Sequence, residues 1–396
     1  MLVTGMGTIN SLGLGVSEFW DSLDKGASGI TLSSTSQLDG YTVVGSSAAV
    51  DWTRIPERFQ KMDRALSASL MAAEEAVEDS KVDRDSLRKA GVVVGTSLGP
   101  IDTLRETHRH LNQSQLLSTP DVCNAVLDNI GRSVAQYFES EGPNATLTTA
   151  CAASSNALSY AHSLVASGVC ETVLCGGVDV ISPITIAGFH ALRTLSSDYC
   201  RPFSRTRRGI SLGEGAAFLV LESEESAIAR GRHHYAVFSG YGLGNEAYHS
   251  TKPDPSGKVA ARVMRSALLM AGMELEDVKY INAHGTGTLF NDAMETKAIK
   301  EVFGASSYGI SVSSTKSMHG HTLGAAGAIE AVASILSLVH QTVPPTLGFQ
   351  ERDPECDLDY CFEGSVKRDV PAAMSNSFAF GGHIVSLIFE RGVIWG

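Results

Sequence analysis

Residues 146–168 read TLTTACAASSNALSYAHSLVASG. A β-prone run ends at Cys151, and an Ala/Ser-rich helix pattern starts just after it. Residues 310–338, ISVSSTKSMHGHTLGAAGAIEAVASILSL, repeat that plan with His321 near the turn. Further echoes lie outward from this pair. VTGMGTINS (3–11) is matched by VFSGYGLGNE (237–246), GVVVGTS (91–97) by YINAHGTGT (280–288), and GEGAAFLVLE (213–222) by FGGHIVSLIFE (380–390). Their order is the same, so the chain is expected to be two similar βαβαβ-type halves, 1–235 and 236–396, related by a pseudo-twofold axis. Strand candidates at 91–94, 173–175, 218–221, 278–281 and 384–388 alternate with helix candidates at 65–76, 154–166, 259–270 and 325–339. That alternation predicts an α/β fold with mostly parallel sheets.

Composition narrows the function. Lys and Arg number 31 against 43 Asp and Glu, a net charge of −12, with no basic runs. This excludes a general nucleic-acid binder. The 43% hydrophobic content excludes disorder. Charged residues are only 19%, which points to a large buried interface between subunits. The sequence is read as holding no apolar stretch of membrane-spanning length and no signal peptide at MLVTGMGTIN. Seven cysteines without CxxC spacing fit free thiols in a reducing cytoplasm.

Three stretches carry chemistry. Cys151 at a helix N-terminus is a candidate nucleophile, because the dipole and free amides there favour a thiolate. The other cysteines (123, 170, 175, 200, 356, 361) fit buried structural roles better. His284 follows the strand VKYI, where α/β active sites form. His321 sits with Lys316 and Glu330 around one Gly/Ala-rich turn. The His319/His321 pair lacks the flanking pattern of a metal site. Gly95-Thr96-Ser97-Leu98-Gly99 is a formal GxSxG hydrolase motif, but Pro100 interrupts the helix that should follow.

Taken together, VTGMG, MDRALSASLMAAEEA (62–76), TACAAS, RPFSRTRRGISLGEGAA (201–217), EAYHSTKPDPSG (246–257), NAHGTGT, KSMHGH, GAAGAIEA and SNSFAFGG resemble the elongating class of β-ketoacyl–acyl carrier protein synthases. The resemblance spans nearly the whole chain. It implies the thiolase fold, a five-layered α-β-α-β-α arrangement, and decarboxylative Claisen condensation that lengthens a fatty-acid or polyketide chain by two carbons. By the same resemblance, Cys151 carries the acyl group, His284 and His321 handle the malonyl group, Lys316 balances charge, and Glu330, Asp292 and Glu295 support the site. Thr251, Thr286 and Thr288 meet the phosphopantetheine arm. Phe380 is the gate, and its backbone N–H joins that of Cys151 in an oxyanion hole. No cofactor or metal is implied.

The implied partners are an acyl carrier protein with its malonyl and acyl thioesters, and a second subunit, either identical or a chain-length-factor homologue. No nucleic acid or membrane partner is expected. An acidic carrier needs a basic patch, for which Lys61, Arg64, Arg205 and Arg207 are candidates, with Arg201 and Arg208 in the same cluster. Departures at Ser204, Arg208, His319, His383 and Ile384 point to a specialised synthase, for polyene or other secondary-metabolite chains. Cys151, His284 and His321 together argue against a non-catalytic chain-length factor. The absence of a cysteine beside His321 argues against a thiolase.

Overall fold

The computed structural model describes residues 1–38 and 41–392. The first half gives the large sheet five main strands: β1 (Leu2–Asn10), β2 (Gly91–Gly95), β3 (Asn144–Leu147), β4 (Thr172–Asp179) and β5 (Gly215–Glu222). Five build the second: β6 (Ala236–Asn245), β7 (Val278–Asn282), β8 (Ser311–Ser313), β9 (Ala372–Phe378) and β10 (His383–Arg391). They form one path, β8-β7-β9-β10-β6-β1-β5-β4-β2-β3. Outward from the centre, each half runs first, fifth, fourth, second, third. The outer pairs β2/β3, β2/β4, β7/β8 and β7/β9 are parallel, and the inner pairs are antiparallel. Within the sheet the halves meet where β1 pairs with β6, at Leu2–Val237 and Val3–Ala236.

Strands β1, β2, β4, β5 and β9 are buried along their whole length, which explains their apolar runs. Every residue of β5, GAAFLVLE, is buried. Helix α1 (Arg64–Ser80) covers β1 and β5 on the outside of the first half. On that side α2 (Asn129–Tyr137) packs against α1, β2 and β3. Two helices lie inside, between the halves. These are α3 (Ala153–Ala166), which touches β2, β4 and β10, and α6 (Ala326–His340), which touches β9, β5 and α3. Helix α4 (Lys258–Ala271) covers β6 and β10 from the far side, with α5 (Leu289–Phe303) against it. The result is the five-layered α-β-α-β-α arrangement.

Helix α6 corrects one expectation. The 18 residues Leu323–His340 have a mean hydropathy of 1.6, enough by length and composition to cross a membrane. They are 89% buried inside the protein, where an all-round apolar helix belongs in a layered core. Small residues permit the central crossing. A Cβ on Gly327 of α6 would lie 1.9 Å from Ser155 Oγ of α3, and one on Gly95 would lie 2.4 Å from the Ala153 carbonyl carbon. The glycine and alanine excess therefore brings α3 and α6, whose N-terminal ends carry the chemistry, into contact.

Candidate active site

Cys151 and His321 stand at matching places in the two halves, each between the third strand and an inner helix. Each follows a residue with left-handed backbone, Ala150 (φ 47°) and Gly320 (φ 72°). At Gly320 a Cβ would lie 2.8 Å from Leu212 O, so glycine is required there. Ala150 holds a strained conformation at a turn that aims the Cys151 side chain into the site.

Cys151 is 5% exposed. Burial pushes its thiol up to about 12, and the nearby Asp179 charge adds to this. The Lys316 ammonium and the backbone N–H groups of Phe380 and Cys151 pull the other way. Desolvation thus outweighs the helix dipole from which the sequence predicts a thiolate, and the resting group is a thiol. Phe380 and Cys151 both line the cavity at this point.

His321 is tied down through its backbone, donating to Ser211 O (2.7 Å) and accepting from Gly213 N–H (2.8 Å). Its Nδ1 accepts from the Leu323 N–H at 3.2 Å. The neutral ring therefore carries its proton on Nε2. His284 hangs from the end of β7 in a loop clamped by Glu295. Glu295 Oε1 accepts from His284 N–H and Oε2 from Gly285 N–H, both at 2.9 Å, and Asn376 Nδ2 adds a bond at 3.2 Å. The two imidazoles meet edge to face, with centroids 5.5 Å apart, and Phe378 lies 5.6 Å from the His284 ring. Burial first, then the Lys316 charge, pulls both histidines well below the usual range, so both are neutral.

Lys316 and Glu330 form a buried ion pair behind the histidines. Burial raises Glu330 to about 7 against the pull of Lys316. Burial likewise raises Glu295 to about 7. Asp292 accepts from Phe203 N–H (2.8 Å) and Gly287 N–H (3.2 Å), joining the His284 loop to the arginine-rich segment.

A cavity of about 260 Å³ ends on this group. Cys151, His284, His321, Thr251, Thr286, Thr288 and Phe380 all line it. The Thr286 and Thr288 hydroxyls are 3.0 Å apart. The Phe380 ring stacks on Phe189 at 5.9 Å. Ile384 lines the cavity too, while His383 lies beside Asn245, 3.4 Å from its Nδ2. His319 is fully buried, with Nε2 3.0 Å from Thr315 Oγ1 and its ring 6.2 Å from Phe19.

The basic patch needs correction. Arg207 is 3% exposed and is locked into ion pairs with Asp353 and Asp292, so it cannot meet a partner. Arg64 is held by Asp102, Glu214 and the Ile181 carbonyl, Arg201 by Asp198, and Arg205 by Glu351. Lys61 is exposed. Arg208, a member of the expected cluster, is exposed and lines the cavity, as do Arg193 and Lys252, which the sequence reading did not name. Lys252 sits 5.2 Å over the Phe290 ring. Spacing rules had no means of separating paired arginines from free ones. Ser97, which the sequence reading set aside as a hydrolase nucleophile, has a buried Oγ without a hydrogen-bond partner, and no imidazole is bonded to it. Sequence reasoning missed Asp179, at the carboxyl end of β4, a position where the strand-end rule could have flagged it.

The β-ketoacyl synthase N-terminal domain model matches residues 1–227, and the C-terminal domain model matches residues 235–350. The 3-oxoacyl-[acyl-carrier-protein] synthases 2 of Synechocystis sp. and Staphylococcus aureus are 38% identical to the chain, covering 99% of it and 98% of each relative. Among solved structures, a type II polyketide acyl carrier protein in complex with its ketosynthase bound to the hexaketide matches with TM-score 0.91 and 32% identity. The ishigamide ketosynthase/chain length factor matches with TM-score 0.90 and 34% identity. Each covers 98% of this chain and 98% of the matched one. With both domain models matched and 38% identity over nearly its full length, the chain belongs to the β-ketoacyl synthase family.

Proposed function

We propose that the protein is an elongating β-ketoacyl–acyl carrier protein synthase acting in fatty-acid or polyketide chain building. The observation that carries this is Cys151 at the end of a cavity shared with two neutral imidazoles, one holding its proton on Nε2. Acyl transfer comes first. Cys151 attacks the acyl thioester of the carrier, and the oxyanion sits on the Cys151 and Phe380 N–H groups. The thiol proton leaves on the pantetheine sulfur, so no net base is consumed, which suits a thiol pushed up to about 12. A malonyl carrier then enters. Loss of CO2 leaves an enolate whose oxygen needs N–H donors, and neutral imidazoles supply them without protonating the carbanion. The carbanion attacks the Cys151 thioester, the same oxyanion hole takes the charge, and the Cys151 sulfur leaves as a thiolate that takes a proton from solvent water to restore the thiol.

Burial, aided by the charge of Lys316, keeps both imidazoles neutral, while Glu330 pairs with Lys316 and Glu295 and Asp292 hold the His284 loop. Thr251, Thr286 and Thr288 line the path of the pantetheine arm, and Phe380 against Phe189 gates it. The reaction draws on no cofactor of the enzyme's own, since the substrate rides on the carrier's arm. Arg193, Arg208 and Lys252 give the acidic carrier a basic rim to meet. A second subunit, identical or a chain-length-factor homologue, goes with this reading. So does a cytoplasmic setting, since all seven cysteines are free. Ile384 in the cavity wall favours a specialised acyl chain.

The test is mass spectrometry of tryptic peptides after incubation with acyl carrier protein. Acyl mass on the Cys151 peptide, absent in Cys151→Ala, is expected. Condensing activity that survives in Cys151→Ala, or acyl mass on Ser97, would overturn the reading.

A further inference from the structure

We infer that Asp179 is a positioning residue: by holding the Leu323–Gly324 turn, it fixes which nitrogen of His321 carries the proton. Asp179 ends β4 in the first half and is fully buried, with no cationic partner among the described residues. Its carboxylate accepts from Thr96 Oγ1 (2.8 Å), Ser97 N–H (2.9 Å) and Leu98 N–H (2.9 Å) in the loop after β2. It also accepts from Gly324 N–H at 2.6 Å, across the boundary in the second half. One residue earlier, the Leu323 N–H is the donor to His321 Nδ1.

The turn needs this hold. Leu323 has a left-handed backbone (φ 53°), a conformation that a branched residue keeps only when its surroundings impose it. Gly324 must lack a side chain, because a Cβ there would lie 2.6 Å from Asp179 Oδ2. Two successive amides therefore point to two acceptors, His321 Nδ1 and Asp179. If the second is lost, the strained turn can relax and the first loosens. His321 can then move its proton to Nδ1, which would present a lone pair to the enolate oxygen instead of an N–H. A buried negative charge beside Cys151 also raises its thiol, an effect opposed to nucleophilic attack. A carboxylate there is accounted for by what it organises.

The inference rests on the ketosynthase reading of the site, and its test separates the two. Enzyme labelled with nitrogen-15 histidine is compared as wild type and as Asp179→Asn, whose amide turns N–H toward N–H donors. The wild type should show His321 as the Nε2–H tautomer, and Asp179→Asn should show a mixture. Decarboxylation of malonyl carrier protein should fall 10- to 100-fold, roughly the loss expected when a partner that orients an active imidazole is removed. Acylation of Cys151 should be unchanged or faster. Thr96→Val, which removes one hydroxyl from the same carboxylate, should shift both readouts in the same direction by less, and decides the matter if Asp179→Asn does not fold. A pure Nε2–H tautomer in the folded variant, or equal losses of decarboxylation and acylation, overturns the inference. Wild-type enzyme that takes no acyl group on Cys151 overturns instead the reading on which it rests.

Discussion

Replacing Gly327 with Ala tests whether the contact between the two inner helices sets the reaction geometry. The new methyl would fall 1.9 Å from Ser155 Oγ. That hydroxyl can rotate away, but only by giving up its 2.8 Å bond to Ser377 Oγ, a loss of ~1 kcal/mol. Rotation is not enough, because Ser155 N and Cβ still stand at 2.9 and 3.0 Å. The helices must part by ~0.4 Å to reach ordinary contact, at an overpacking cost of ~1 to 3 kcal/mol. Helix propensity returns ~1 kcal/mol. The net destabilisation is ~1 to 3 kcal/mol. Spread over the unfolding entropy of 396 residues, it lowers Tm by only ~1 to 4 °C. Activity is the sharper readout. If a 1 Å misplacement costs ~100-fold, 0.4 Å between Cys151 and His321 costs ~6-fold in condensation. A double-mutant cycle with Ser155→Ala isolates the contact. Both single changes break the Ser155–Ser377 bond, so the double variant should be more stable than the sum by ~1 kcal/mol. Additive stabilities with full activity in Gly327→Ala would refute the argument.

Glu330→Gln should leave Lys316 charged in a dry site and destabilise by ~3 to 5 kcal/mol in denaturant unfolding, with Lys316→Met/Glu330→Met recovering much of it. His319 titrates at about 3 when folded, so below its unfolded value near 6.5 the unfolded chain binds a proton that the folded chain does not. Its contribution is present above pH 6.5 and lost as the pH falls. Unfolding of His319→Gln at pH 8 and pH 5 should therefore show ~2 kcal/mol less loss than wild type. Arg207→Ala should lower stability by ~3 to 5 kcal/mol, because Asp353 and Asp292 lose their counter-charge. Arg193→Glu or Arg208→Glu should instead raise KM for the carrier with Tm unchanged, and equal Tm losses in all three would contradict the assignment of the mouth.

The sequence was informative where local pattern decides structure. The short, turn-bounded apolar run FLVL in β5 reads as a strand buried on both faces, and it is one. Repeated strand–turn–helix units placed Cys151 and His321 at the turns. Sequence reasoning failed where the outcome depends on what lies across the fold. The Cys151 thiol is set by burial that no helix-start rule registers. Arg207 and Arg208 are neighbours in sequence, yet one is sealed between Asp292 and Asp353 and the other is open at the mouth. Their difference comes from residues 85 to 146 positions away. Asp179 was missed for the same reason, because its partners lie in two loops separated from it by 81 to 145 residues.

The strand at the centre of the sheet precedes every other strand of that sheet along the chain. β1 pairs with β5 and β6, beginning with Leu2 against Glu222 and Val237. At ~5 to 20 residues per second, a nascent chain would wait about 10 to 45 s before either neighbour emerged from the ribosome. During that time LVTGMGTIN is an apolar edge open to aggregation. Helix α1 arrives much sooner and lies directly on the strand's backbone: a Cβ on Gly5 or Gly7 would fall 2.1 Å from Ala76 O or 2.0 Å from Ala72 O. Those glycines let an early helix shelter one face of the strand until synthesis supplies the rest of the sheet.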